Sequence, residues 1–440
     1  MKNLNEMKNL NEMKNLFATT LLCTFLPVGI LFSGCRQAAE PQRPRVLVST
    51  DIGGTDPDDN QSMAHLLMYS DRFDLEGLVS SPSYGPGSKG EILRMIDLWE
   101  QDLPTLQMAT GNDYPPVEYL RSITKEGHRG LAPFDGFDQP TEGSQWIVQC
   151  ARRDDPRPLY VLVWGGLEDV GQALHDAPDI APKLRIYWIG GPNKKWSADC
   201  YAYIVSHFPG LWMIENNDAY RGFIHADWRE EQYGSDYWEE YLKGHGALGD
   251  DFQNYYQGIV KMGDTPSLLY MMNPGEMDPA DPEAEHWGGR FERMSHSARR
   301  IFDRPLTLRD TVPVFSVIEM HLKGPDAPAD HLHPAFTLRC LGQDWSGYSL
   351  GGGDYCVRYA PKAPGRVPYT IDGAVESAGE FTVENVWPGE AHPDDWPVGA
   401  TWWTDVDDPE EFEGQVRGAK TVSRWRDTVL ADWARLFGLL

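Results

Sequence analysis

Four aspartates, Asp51, Asp56, Asp58 and Asp59, crowd the stretch Val46-Leu-Val-Ser-Thr-Asp-Ile-Gly-Gly-Thr-Asp-Pro-Asp-Asp-Asn60. Carboxylates this close repel one another unless a cation joins them, and an all-oxygen donor set suits Ca²⁺. An aspartate at a helix N-terminus also serves as a cap or dipole partner. Capping accounts for one or two of the four, but not for Asp51, two glycines and a paired Asp58-Asp59 together. The stretch is therefore a candidate metal or sugar site.

Such residues need a frame that points them at one place. Val46 to Ser49 is a short apolar and β-branched run of the kind that forms a buried parallel strand, and Asp51 falls where that strand ends. Gly53-Gly54 permits a tight turn, and Asn60 to Tyr69 follows as a helix with Met63, Leu66 and Leu67 on one face. The carboxyl ends of strands are where open α/β sheets bind ligands.

Downstream, strand and helix signals alternate, which predicts a parallel sheet with helices on both faces. Strands are expected at Leu75–Val79, Leu159–Val163, Leu184–Ile189 and Leu211–Ile214. Helices are expected at Lys89–Glu100, Ser144–Arg152, from Glu168 to Leu174, and along Trp196–Ile204. Gly111 to Pro140, rich in Gly, Pro and charge, is expected as a long surface loop over the active face. Amide and carboxylate side chains after the fourth of these strands, Asn216 and Asn217 among them, offer the donors and acceptors that vicinal sugar hydroxyls need.

The formal net charge is −27, with a pI near 4.7. Polyphosphate would be repelled, so nucleic acid is excluded as a partner. Sixteen Trp and nineteen Tyr supply faces for stacking on sugars or bases as well as ordinary core. Four cysteines follow Cys35, and Cys340 and Cys356 lie close enough in sequence to bridge in an oxidising compartment.

Asp51-Ile-Gly with Asp58-Asp59 resembles the aspartate signature of the nucleoside hydrolases, which are calcium-dependent N-ribosyl hydrolases. The turn is of the longer kind, with Gly54, Thr55, Asp56 and Pro57 ahead of the pair. The resemblance implies calcium held by Asp51, Asp59, Asp264 and the backbone carbonyl of Trp164, with Asp51 also the catalytic base. It implies Asp58 on the sugar hydroxyls and sets Asp199 near a ribose-contacting Asn of that family. Asp199, Asn216 and Asn217, offered to the sugar by their side-chain chemistry, read equally as polar caps on two helices. Gly263 stands where that family has a His, a candidate acid for the leaving base. Gly190-Gly191 matches a glycine turn of the same family.

A closer resemblance is to a bacterial secreted branch, sometimes called cellulose-binding proteins with a nucleoside hydrolase-like domain. It is carried by Tyr69–Leu78, Val163-Trp-Gly-Gly166, Tyr201-Ala-Tyr-Ile204, Trp212–Asn216, Tyr220-Arg-Gly222, Gly263–Ser267, Trp287–Arg290, Trp402–Asp408 and Thr421–Arg426. The implied architecture is a nucleoside hydrolase-like α/β domain over residues 44–300, closed by residues 399–440 with their final helix. The branch often adds an immunoglobulin-like module after that helix, and none is expected beyond Leu440. Residues 301–398 are dense in Gly and Pro, with alternating runs at Ala335–Arg339, Tyr355–Tyr359, Tyr369–Ile371 and Glu380–Val386. They are expected to form a β-rich insertion. Within it, His331 and His333 share one face of an expected strand and could take a metal.

The N-terminal region carries export signals. Lys14 precedes the mostly apolar Leu16–Phe32, and Leu31-Phe-Ser-Gly-Cys35 resembles a lipobox. Residues 1–35 are expected as a lipoprotein signal peptide and 36–43 as a tether. Cys35 would then carry a lipid anchor to the membrane, in the periplasm or outer membrane. The expected function is an exported calcium-dependent hydrolase of nucleosides or related small glycosides. The alternative is a carbohydrate-binding protein that keeps the fold without catalysis. The sequence leaves the substrate and the oligomeric state open.

Overall fold

The computed structural model describes residues 42–224, 236–272 and 277–440. The expected signal peptide, Cys35 and residues 36–41 of the expected tether lie outside the described residues.

Six strands and six helices alternate in the first half: β1 (Arg45–Thr50), α1 (Asp58–Met68), β2 (Asp74–Ser80), α2 (Lys89–Thr110), α3 (Val117–Ser122), β3 (Thr124–Glu126), α4 (Glu142–Ala151), β4 (Leu159–Val163), α5 (Glu168–Asp176), β5 (Leu184–Ile189), α6 (Ala198–His207) and β6 (Trp212–Asn216). The sheet runs β3-β2-β1-β4-β5-β6 and is extended by the strands Trp402–Asp405 and Phe291–Arg293. All pairings are parallel except the last. Chain order reverses between β1 and β4, and that switch point opens a crevice at the strands' carboxyl ends.

Period-2 alternation sorts the side chains into two layers. Leu47, Val161 and Val163 face α4, α5 and α6 in one apolar core. Val46, Val48, Tyr160 and Leu162 face α1, α2 and the closing helix Ala419–Phe437 in the other. Met63, Leu66 and Leu67 of α1 are fully buried there, each contributing about 1.5–3 kcal/mol.

The stretch Gly111–Pro140 departs from a plain loop. It contains α3 and the edge strand β3, which pairs Thr124 with Leu78. A three-residue strand is too short for periodicity to reveal. The expected helix from Lys89 runs ten residues further, to Thr110, and stops at Gly111, which has φ +72°.

The second half carries an eight-stranded, mostly antiparallel sheet beginning at Arg299. Phe336–Cys340, Asp354–Tyr359, Gly365–Gly373 and Ser377–Glu384 are strands of it, and its apolar face continues the α4–α6 core. Two expectations fail here. Cys340 and Cys356 are free and buried, because the strand Gln343–Gly351 lies between theirs. His331 and His333 occupy an exposed bend rather than a strand, each beside a different aspartate, Asp135 at 2.9 Å and Asp330 at 3.0 Å.

No helix among the described residues is long and apolar enough to cross a membrane.

Candidate metal and active site

The loops leaving β1, β2, β4 and β5 line a cavity of about 540 Å³ at the switch point, with Asp51, Asp58, Asp59 and Asp264 on its wall. Asp58 and Asp59 form the first turn of α1, and Asp264 directly precedes the helix Thr265–Met271 without a side-chain capping bond. Carboxylate oxygens of Asp58, Asp59 and Asp264 lie within 4.8 Å of one another, and all three residues are buried.

Each carboxylate has a definite support. Thr50, the last residue of β1, donates its hydroxyl to Asp59. Ser83, in the loop after β2, donates to Asp51. Gly263 donates its backbone N–H to Asp58 at 3.2 Å. A Cβ at Gly263 would come within 2.4 Å of Asp58 Oδ2, so a side chain there displaces Asp58. Lys261 places its ammonium 3.3 Å from Asp58 and in contact with Asp56.

Burial and mutual repulsion make these acids hold their protons. Burial, assisted by the charges of Asp51, Asp264 and Asp58, holds Asp59 well above the usual carboxylate range. Burial, with Asp58 and Asp51, does the same to Asp264. Asp58 is pushed up to about 8 by burial in spite of Lys261, and Asp51 is raised by burial. A cation is what such a donor set lacks, and hard oxygen ligands select Ca²⁺ or Mg²⁺. The donor set therefore fits a divalent ion.

Trp164 is buried beside the cavity, and its carbonyl accepts from Asn193 Nδ2 at 2.8 Å. A carbonyl has a second lone pair, so the bond leaves room for a ligand. Asp58, expected on the sugar, stands inside the carboxylate cluster, while Asp51 is turned toward Ser83.

Three expected sugar contacts lie elsewhere. Asp199 pairs with Arg358 of the second sheet at 2.8 Å and lines a separate cavity. Asn216 is spent within the fold, donating to Tyr187 Oη at 2.8 Å and accepting from the Tyr220 N–H at 2.9 Å. Asn217 is fully buried and donates to Glu215 at 2.8 Å. Strand-end position alone could not tell a pocket-facing amide from one facing the core.

Several lining residues were not among the expected site residues. Ser83, Asn193, Tyr220, Arg221 and Lys261 come from the domain itself, Lys362 from the insertion, and Glu413 and Val416 from the closing segment. Tyr84 and Trp196 form an aromatic rim, their centroids 5.6 Å apart. Tyr220 and Arg221 had a signal in the Tyr220-Arg-Gly222 match, and Lys261 in its nearness to Asp264.

A parallel sheet with carboxylates caged at its switch point defines a nucleoside hydrolase-like domain. The chain belongs to the family described as cellulose-binding Sde182, nucleoside hydrolase-like domain, which it matches over residues 45–291. No curated protein matches the sequence. Among solved structures it is similar to a nucleoside hydrolase-related protein of Saccharophagus degradans associated with carbohydrate metabolism, at 20% identity, covering 78% of this chain and 100% of that one, with a TM-score of 0.48. It is also similar to the inosine-uridine preferring nucleoside hydrolase of Bacillus anthracis, at 14% identity, 58% and 86% coverage and a TM-score of 0.38. The purine-preferring ribonucleoside hydrolase of Gardnerella vaginalis gives 12% identity, 58% and 84% coverage and a TM-score of 0.39.

Proposed function

We propose that this protein is a calcium-dependent hydrolase of a nucleoside or another small glycoside. The observation that carries the reading is the meeting of Asp58, Asp59 and Asp264, from two distant segments, in one cavity beside Asp51. Asp58, Asp59 and Asp264, with Asp51 and the Trp164 carbonyl on the same cavity wall, would hold the ion, which when bound is a Lewis acid that lowers the pKa of a water.

The remaining work falls to the chain. Asp51, steadied by the Ser83 hydroxyl, takes the proton of the water that attacks the anomeric carbon. The bond from that carbon to the leaving group breaks, and the leaving group departs with the bonding pair and takes a proton from solvent. The transition state of glycoside cleavage is oxocarbenium-like, and a wall of carboxylates favours that positive charge. Tyr84 and Trp196 at the rim exclude water and offer faces to the sugar or leaving group. Holding water and ring in line can supply about 7–11 kcal/mol of the barrier in the best cases.

A second reading, sugar binding without catalysis, is favoured by one feature. Gly263 carries no side chain, so the position of the related family's acid offers no proton. The family's description as cellulose-binding agrees with it. A flat polysaccharide platform is a poor fit. Among the described residues the large exposed aromatic rings are Tyr84, Tyr119 and Tyr241, none of them on the insertion.

Incubation with nucleosides and oligosaccharides, with and without chelator, separates the two. Chelator-sensitive release of reducing sugar supports hydrolysis. Saturable polysaccharide binding that ignores chelator, with no release, supports the second reading and overturns the first.

A further inference from the structure

A second cavity, of about 380 Å³, opens where the domain meets the insertion. Trp196 lines both this cavity and the carboxylate cavity, so the two adjoin across one indole. The domain supplies Asp138 and Asp199; the insertion supplies Asp344, Ser346, Tyr348 and Arg358. The volume lies within the range of small-ligand sites.

The Asp199–Arg358 pair is only partly used. Arg358 gives Nε to Glu319 at 3.1 Å and Nη1 to the Phe134 carbonyl and Asp199 Oδ1, both at 2.8 Å. Its Nη2 and Asp199 Oδ2 have no hydrogen-bond partner among the described residues, and neither is among the sealed, unpaired polar atoms. A donor and an acceptor held side by side match two vicinal hydroxyls. Of the cavity's aromatic residues, Trp345 and Tyr348 are almost fully buried and Trp196 is shared with the carboxylate cavity, so the polar pair makes the distinctive contacts here.

We infer that this cavity is a distal sugar subsite, and that the ligand is an oligosaccharide reaching from the carboxylate centre past Trp196 onto Asp199 and Arg358. The inference rests on the glycoside reading above and narrows its substrate class. It also explains what the insertion contributes, since the insertion completes a subsite that the domain alone leaves open on one side.

The test is calorimetric titration of the whole protein, in excess calcium, with β-1,4-linked gluco-oligosaccharides from glucose to cellohexaose. Two variants accompany it, each checked by thermal melting. Leu332→Trp fills the cavity from a rim position that is 55% exposed, and Asp199→Asn keeps the bond to Arg358 while removing the spare acceptor. The expected result is affinity rising about tenfold or more from the single sugar to the longer chains in the native protein, with that gain lost in both variants. Binding that is independent of chain length overturns the subsite and leaves the glycoside reading standing, as does a length gain that survives in a folded variant. Absence of binding by any member, together with no nucleoside binding, overturns both.

Discussion

Asp58 is a carboxylate held against its preference. Burial lifts it to about 8 even with Lys261 3.3 Å away. The unfolded chain gives up this proton near pH 4, whereas the folded chain keeps it to about 8. In the ion-free protein its contribution to stability is therefore fully present below pH 4 and is lost as pH rises toward 8. Asp59 and Asp264, also raised, act in the same direction. Thermal melting in chelator is expected to show Tm falling across pH 4–8, and excess calcium to flatten the fall, since the ion replaces the protons. A chelated protein whose Tm rises steadily over that range would contradict this picture. Gly263→Ala tests the same carboxylate from the backbone side. Displacing Asp58 is expected to destabilise the fold by about 1–3 kcal/mol and to weaken calcium binding, read by urea unfolding and titration. Asp51, Asp56, Asp58 and Asp59 were legible in the sequence because they are clustered and set off by glycines, whereas Asp264 followed only from the family resemblance. Of their supports, Ser83 was not, because a lone serine in a loop carries no pattern, and Lys261 was marked only by its nearness to Asp264.

At the scale of elements, the sheet presents its strand ends to one crevice and stiffens them from behind. Lys194, just past β5, and Glu215 of β6 form a fully buried ion pair at 2.6 Å. The Tyr201 hydroxyl and Asn217 amide complete the glutamate's bonds, and the Lys194 ammonium lies over the Tyr201 and Trp387 rings. Removing one partner leaves a buried charge, so Lys194→Ala is expected to cost about 3–5 kcal/mol. Lys194→Met with Glu215→Gln should recover much of that loss, and chemical denaturation of the two variants measures the difference. The strands β1, β2, β4, β5 and β6 followed from apolar runs separated by helical spacing, whereas their order in the sheet did not. What the pattern could not convey was direction at each strand end. Asn216 looks as free as Asp51 in sequence, yet its amide is tied to Tyr187 and Tyr220. Cys340 and Cys356, near in sequence, are kept apart by an intervening strand, a fact of sheet order that spacing does not encode.

At the scale of the molecule, the cavity wall is completed by parts remote from the aspartates. Lys362 comes from the insertion and Glu413 and Val416 from the closing segment. Residues 402–405 return after the insertion to pair with β6, which ties the closing helix to the sheet. Long-range closure of this kind is invisible to local periodicity, although the β-rich character of the insertion was plain. Export through a lipidated Cys35 is also proposed. Cys35→Ser, expressed in a bacterial host, is expected to move the protein from the detergent phase to the aqueous phase on detergent partition. Equal partition of both forms would count against the anchor.

Everything functional depends on a cation joining carboxylates from distant segments. Calorimetric titration of calcium into chelator-stripped protein, beside Asp264→Asn, addresses that most directly. One ion per chain in the native protein is expected, with affinity lowered at least about a hundredfold in the variant. No calcium binding by the native protein, or equal binding by a folded Asp264→Asn, would contradict it.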